Sequence, residues 1–492
     1  MSKPITPLPV MVLGLPFHDV TFAETIAWSE QHIEKGTPGY IATVNLDFIM
    51  QAHHDPELQR ILLEADLVVA DGNPIVRLSG HLGPKLRERV TGSDLTPMLA
   101  ELCARRGWSL YGLGGAEGVP QKATEELKRR YPGLNVAGAY SPPLAGLLSM
   151  NHADLLARLE ATRPSLLLVA LGAPKQEKWI NMHVHSWRVP LTVGVGGTLD
   201  FLAGTQTRAP RFVQKIGLEW FWRLWTNPRR LFKRYFFDGT FLLASLARLV
   251  WIRYSPTSTP PSTPVADMPA PARLDELRAR VLSWKSTRDL VDGHALLQEL
   301  LPLAGKSVLV FDLAGIPWLR SHELGLLVAL NKAARTKGNE VMVWRPSPRV
   351  ERFIRATRLE DYIPLVPRLA DWVSRLQALR SSQCGGTIHH TPSGVLCLRL
   401  PSELTAASLA DYRAMYEMAL PGGGSDAVTG WEIDAAQLRF LDSAAMGFLI
   451  SLRKNADQNH SPFVAMNWNS VALRILQVAR LESILAPSSG SK

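Results

Sequence analysis

Three cysteines in 492 residues, Cys103, Cys384 and Cys397, are odd in number and far apart. They exclude a disulfide framework and the Cys-x-x-Cys or Cys/His clusters of a zinc site, and they fit a reducing cytoplasm. Long apolar runs are missing as well. The start, MSKPITPLPV, lacks the basic start followed by a long apolar stretch that defines a secretory signal. The most apolar stretch elsewhere, Phe241 to Trp251, is broken by Arg248 and falls short of the ~20 residues that span a bilayer. The expectation is a chain that is soluble or rests on a membrane.

What is present is ordinary globular composition, 46% hydrophobic and 20% charged, in a chain long enough for about three domains. The net charge of +10 is local: residues 208–253 hold ten Lys or Arg against Glu219 and Asp238. Directly after them, residues 254–273, YSPTSTPPSTPVADMPAPAR, are crowded with Pro, Ser and Thr. That composition predicts an extended, solvated linker.

Before the linker, almost uniformly apolar runs at Val10–Leu13, Tyr40–Val44, Leu67–Ala70, Ser109–Tyr111, Ser165–Leu171 and Leu191–Val195 alternate with amphipathic stretches. Strands covered on both faces read this way, so the fold class is α/β with a parallel sheet. Ligands of such sheets bind at the carboxyl ends of the strands. After the linker one pattern occurs twice. Strand Ser307–Leu313, turn Arg320-Ser321, helix Glu323–Lys337 and strand Glu340–Trp344 are matched by Gly430–Ile433, Asp442-Ser443, Ala445–Ala456 and Phe463–Asn467. The repetition predicts two small α/β modules.

The residues that follow the predicted strands are polar or glycine-rich: Thr43-Val44-Asn45, Asp71-Gly72-Asn73-Pro74, Gly112-Leu113-Gly114-Gly115, Gly172 to Glu177 and Gly194 to Asp200. Tight strand-to-helix packing would also account for the glycine turn at 112–115. Taken together with Glu88 to Asp94, Pro174 to Trp179, and Gly194 to Pro210 running into Gly217 to Trp220, this order of motifs resembles the WecG/TagA/CpsF family of glycosyltransferases. The resemblance covers about Pro9 to Arg253. It implies a Rossmann-like domain over residues 1–253 that transfers N-acetylmannosamine, its uronic acid or glucose from a UDP-sugar substrate to a polyprenyl-diphosphate-linked acceptor, with no cofactor.

Such a reaction needs a base for the attacking hydroxyl and positive charge or N–H donors for the leaving diphosphate. By the resemblance, Asp71 is the base, Thr43, Asn45 and Gln176 orient hydroxyls, and Arg89 holds an anion near the centre. Asp200 and the glycines Gly112, Gly114 and Gly115 fall on the donor side, and Arg223, Arg230 and Lys233 reach in from the basic tail. Lys233 stands where an Arg is expected, which keeps charge but loses a bidentate fork. Many nucleotide-sugar enzymes hold the diphosphate through a metal on an Asp-x-Asp motif. No such triplet precedes the linker, so metal-independent transfer is expected.

Within the tail, Glu219 to Trp225 and Pro228 to Phe237 interleave aromatic and basic residues densely. An anionic inner-leaflet membrane is the favoured partner, since Trp and Tyr prefer the headgroup level and each Lys or Arg adds about 1 kcal/mol of attraction. Core packing of the aromatics is the alternative, and nucleic acid is not expected because no RNA-binding signature accompanies them. The expected location is the cytoplasmic face of the inner membrane. The repeated modules, residues 274–367 and 387–487, resemble the STAS domain, which implies regulation through a kinase or anti-sigma-like partner, with Ser443 the phosphorylatable position. The first module, with Arg320-Ser321, departs from that pattern. The rival reading, a decayed enzyme acting as a scaffold through its STAS repeats, is opposed by intact Thr43, Asp71 and Gln176.

Overall fold

The computed structural model describes residues 7–210, 212–213, 222, 228–255, 278–284, 293–366, 375–376, 386–420 and 428–485. The predicted linker therefore lies outside the described residues except for its first two.

The first domain opens with β1 (Pro9–Val12), β2 (Leu15–His18), α1 (Phe22–Lys35), β3 (Gly39–Val44), α2 (Leu46–His54), α3 (Pro56–Glu64), β4 (Leu67–Ala70), α4 (Asn73–Leu82) and α5 (Gly92–Arg106). It continues through β5 (Ser109–Gly114), α6 (Val119–Arg130), β6 (Asn135–Tyr140), α7 (His152–Thr162), β7 (Leu166–Ala170), α8 (Lys175–His183), β8 (Leu191–Gly194) and α9 (Thr198–Leu202). Strands β3 to β8 form one six-stranded sheet in the order β4-β3-β8-β7-β5-β6, and every pairing in it is parallel. All its carboxyl ends therefore face one edge. Four of the predicted runs become β3, β4, β7 and β8, strands that are buried throughout.

The run at Val10–Leu13 does not join this sheet. Gly14 turns it back antiparallel onto β2, giving a separate two-stranded hairpin. The edge strand β6, NVAGAY, carried no apolar signal because its side chains are half-buried or exposed.

Helix α10 (Pro228–Tyr254) holds the later part of the basic tail and packs on α2. The first repeat consists of β9 (Ala279–Ser283), α11 (Gly293–Ala304), β10 (Val308–Asp312), α12 (Ser321–Arg335), β11 (Val341–Trp344), α13 (Pro348–Ala356) and β12 (Leu365–Val366), with a parallel sheet in the order β12-β11-β10-β9. The second has β13 (Thr387–His390), β14 (Val395–Arg399), β15 (Glu403–Leu404), α14 (Ala406–Ala419), β16 (Gly430–Asp434), β17 (Phe440–Leu441), α15 (Ser443–Gln458), β18 (Phe463–Met466), α16 (Ser470–Val478) and α17 (Glu482–Leu485). Its main sheet runs β13-β14-β16-β18.

The core does not end at the linker. Val10, Phe17 and Leu62 from the first domain and Leu297, Phe311 and Leu327 from the first module belong to one continuous apolar cluster. The second module keeps its own cluster around Leu398, Trp431, Phe448 and Leu449, with Leu148 and Met182 of the first domain packed against it.

Candidate active site

The parallel register brings the predicted residues to neighbouring strand ends. Val44 pairs with Ala70, so Asn45 and Asp71 leave adjacent strands at one level. The Asp71 N–H donates to the Val44 carbonyl at 2.8 Å, which holds the half-buried Asp71 at the end of β4. Thr43 is buried, and its hydroxyl donates to the Gly194 carbonyl of β8 at 2.9 Å. With its proton committed there, Thr43 has only lone pairs to offer a ligand. Asn45 is the N-cap of α2, accepting from the Phe48 N–H through Oδ1. Its amide N–H₂ is the end left for other partners.

Gln176 sits in the first turn of α8, 2% exposed. Its Oε1 accepts from the Gly196 N–H at 3.2 Å and its Nε2 donates to Glu177 Oε1 at 2.7 Å. Gln176 is thus a brace between helix and loop more than an open hydroxyl-binding group. Arg89 lies just before α5, whose first residue, Gly92, passes so near that a Cβ there would stand 3.2 Å from the Thr43 hydroxyl and 3.5 Å from that of Thr198. Asp94, in the same first turn, is gripped by both terminal nitrogens of Arg208 at 2.6 and 2.7 Å. Burial acts to raise the Asp94 carboxyl, but Arg208, Thr91 and Arg89 outweigh it and hold the pKa below its ordinary value.

The remaining predicted residues stand further along the sheet edge. Strand β5 is four strands from β4, which at about 4.8 Å per strand puts the Gly112–Gly115 turn roughly 19 Å from Asp71. Packing dictates glycine in this turn: Gly114 has φ +102°, and a Cβ on it would stand 2.5 Å from the Ala170 carbonyl oxygen of β7. Asp200 lies inside α9, past the capping position, and accepts from the Thr205 hydroxyl at 3.3 Å. Helix α9 packs on α6, which follows the glycine turn, so Asp200 belongs to this second group. Arg223 and the side chains of Arg230 and Lys233 lie outside the described residues. Among the described residues, no three His, Cys, Asp or Glu side chains gather as metal ligands would. A cavity of about 760 Å³ opens where the three domains meet, but none of the predicted site residues lines it.

Two residues were missed. Glu177, 1% exposed, and Tyr40 of β3 are joined at 3.3 Å beneath Gln176. Their only sequence signal was the position of Glu177 inside the Pro174–Trp179 motif.

The serines of the repeats face inward. Ser321 and Ser443 are 3% and 2% exposed. Each is the first residue of its helix, not the cap: Asp442 caps α15, accepting from the Ala445 N–H. The Ser321 hydroxyl donates to the Met11 carbonyl of β1 at 2.7 Å. The Ser443 N–H donates to Glu57 of α3 at 2.5 Å, and Asn181 of α8 donates to Asp442 at 3.1 Å.

A parallel sheet flanked by helices, with polar side chains and glycine loops along one carboxyl edge over a span of roughly 19 Å, is the arrangement in which α/β enzymes bind their ligands. Residues 10–256 match the family described as "Glycosyl transferase WecG/TagA/CpsF family". Residues 274–372 match "STAS domain" and residues 390–486 "Mlab, STAS domain". A Bacillus spizizenii protein named N-acetylglucosaminyldiphosphoundecaprenol N-acetyl-beta-D-mannosaminyltransferase is 31% identical over 199 residues, 40% of this chain and 76% of its own. Its namesake in Staphylococcus aureus strain MRSA252 is 26% identical over 224 residues, 45% of this chain and 86% of its own. The chain belongs to the WecG/TagA/CpsF family of glycosyltransferases and carries two STAS domains at its C-terminal side.

Proposed function

We propose that this glycosyltransferase moves a hexosyl or N-acetylhexosaminyl group, N-acetylmannosamine first among them, from a UDP-sugar to a polyprenyl-diphosphate-linked glycan acceptor. The observation that carries the reading is the meeting of Thr43, Asn45 and Asp71 at the ends of paired strands β3 and β4. The names of the relatives support the acceptor and the sugar. UDP as the carrier follows from the resemblance. In the proposed step the Asp71 carboxylate takes the acceptor hydroxyl proton as that oxygen bonds to the anomeric carbon, and the bond from that carbon to the diphosphate breaks with both electrons leaving on UDP. Arginines and backbone N–H groups receive the growing charge. The missing Asp-x-Asp triplet supports transfer without a metal.

The test is incubation of the purified chain with a panel of UDP-sugars and a polyprenyl-diphosphate-linked N-acetylglucosamine, following UDP release with and without EDTA. Release with one UDP-sugar, undiminished by EDTA, is expected. Loss with EDTA and recovery with Mg²⁺ overturns the metal-independent part alone.

Helix α10 is proposed as the membrane contact. No helix among the described residues is long and apolar enough to cross a bilayer. Yet Phe232, Phe236, Leu243, Val250 and Tyr254, spaced by four or seven residues on this helix, are 55% or more exposed. An apolar stripe on a basic helix suits the interface of an anionic leaflet. Flotation with phosphatidylglycerol vesicles is expected for the wild type and lost in Arg229/Arg230/Lys233/Arg234→Ala. Equal flotation of both contradicts the docking. For the STAS domains, the burial of Ser443 against Glu57 supports regulation by docking and release of the second module, with any modification of Ser443 following release.

A further inference from the structure

Glu177 has no part in the reaction set out above, although it directly follows Gln176. Two neutral donors hold it, the Gln176 amide at 2.7 Å and the Tyr40 hydroxyl at 3.3 Å, both on Oε1. Its Oε2 is buried with no hydrogen-bond partner among the described residues. A carboxyl in such a place is harder to keep than an apolar group of similar size, so packing alone does not account for it.

The contacts run in a chain across three strand ends. Tyr40 belongs to β3, Glu177 and Gln176 begin α8 after β7, and Gln176 Oε1 accepts from Gly196 in the loop after β8. Gly194 lies under the same groups: a Cβ there would stand 2.8 Å from Gln176 Nε2 and 3.1 Å from Glu177 Oε1. The loop from Gly194 to Gly197 is therefore held by Thr43 at one end and by Gln176 at the other. A glutamine amide can flip, exchanging its donor and acceptor ends. Here the flipped amide would turn Oε1 toward the acceptor oxygen of Glu177 and its N–H₂ toward the Gly196 N–H, leaving both contacts repulsive. Burial pushes the Glu177 carboxyl up to about 7, but Oε1 stays an acceptor whether or not Oε2 carries a proton.

We propose that Glu177 is a positioning residue of the transfer site: by fixing the Gln176 amide in one orientation it sets the Gly194–Gly197 loop, and with it the segment carrying Thr198 and Asp200. The inference rests on the reading of these strand ends as the transfer site. The role also explains why a glutamine with both ends engaged belongs in an active-site motif.

The test uses the full chain, with steady-state transfer from the UDP-sugar to the lipid-linked acceptor and hydrogen exchange of the Gly196 amide as two separate readouts. Glu177→Leu lowers kcat roughly ten- to hundredfold, the scale of a small misplacement near a reacting centre, and speeds exchange at Gly196. Glu177→Gln, which keeps an acceptor oxygen, recovers most of both. Gln176→Leu falls by a similar factor, and the double variant is no worse than the poorer single, because both act through one contact. If Glu177→Leu does not fold, Tyr40→Phe removes one donor to Glu177, and a loss of about threefold with faster Gly196 exchange takes its place. Multiplying losses in the double variant, or a Glu177→Leu chain with wild-type kcat and a protected Gly196, overturns the proposal. A wild-type chain that transfers nothing defeats the transfer reading, while the exchange comparison still decides whether Glu177 holds the loop.

Discussion

The first STAS module meets the catalytic domain through a close backbone approach, ion pairs and a shared core, and the second meets it through a carboxylate set against a helix start. In the first, α12 lies so flat on β1 that Gly325 touches Pro9: any Cβ on Gly325 would fall inside the Pro9 carbonyl oxygen. Gln59 donates to the Thr357 carbonyl at 3.0 Å and Lys332 to that of Ala65 at 2.8 Å, and the apolar core runs through unbroken. In the second, Lys178 of α8 lies between Asp55 and Glu57 at 2.7 and 2.8 Å, and Glu57 meets the start of α15, where the unpaired N–H groups and the helix dipole favour a carboxylate. The difference teaches that one fold, duplicated, serves two ends. The first copy shares the core of the catalytic body, whereas the second has a core of its own, which supports the proposal that it docks and releases.

The largest effect that would sharpen this contrast is expected for Lys178→Ala. Removing the one cation leaves Asp55 and Glu57 buried side by side, at a cost of about 3–5 kcal/mol. Limited proteolysis and hydrogen exchange should show the second module released while the first keeps its protection. Next comes Gly325→Ala, expected to cost about 1–3 kcal/mol or more through overpacking. Here catalytic domain and first module should lose stability together in one calorimetric transition. Two separate transitions would break the comparison.

A smaller, pH-dependent effect follows from Asp442. Burial first, and then Glu57, push its carboxyl from 3.8 up to about 7, while the Ala406, Ala444 and Ala445 N–H groups pull the other way. The docked state therefore favours the protonated acid. Docking is strongest below about pH 4 and weakens as the pH rises through about 7. Asp442→Asn should flatten that dependence in thermal melts, and a wild-type melt that stabilises between pH 5 and 7 would contradict it. The smallest change is Ser321→Ala, which removes one hydrogen bond to Met11 and should cost about 1 kcal/mol, read as a shift in the urea midpoint.

The sequence announced β4 and β8 because a strand covered on both faces cannot hide its composition: Leu67–Ala70 and Leu191–Gly194 are apolar and fully buried. It placed the candidate site for the same reason, since Asn45 and Asp71 stand where two such runs stop. Strand β6 stayed hidden because its side chains are half-buried or exposed and free to be polar, whereas β4, at the other edge, is covered by β2, and Val10–Leu13 was misplaced because an apolar run does not say which sheet it joins. The docking of the modules was illegible for a different reason. Glu57 and Ser443, or Met11 and Ser321, are separated by more than 300 residues, and neither member of a pair announces its partner until the other is beside it. Glu177 and Tyr40 share this fate. A tyrosine in a strand and a glutamate in the first turn of a helix are each commonplace, and only the fold makes them partners.

The central claim, transfer of a sugar with Asp71 as the base, is tested most directly by the mass of the lipid-linked product formed by the wild-type chain and by Asp71→Asn. The wild type should add one hexosyl or N-acetylhexosaminyl unit to the polyprenyl-diphosphate-linked acceptor, and Asp71→Asn should form the same product about 10²–10⁴ times more slowly. Product formed by Asp71→Asn at the wild-type rate would contradict the account.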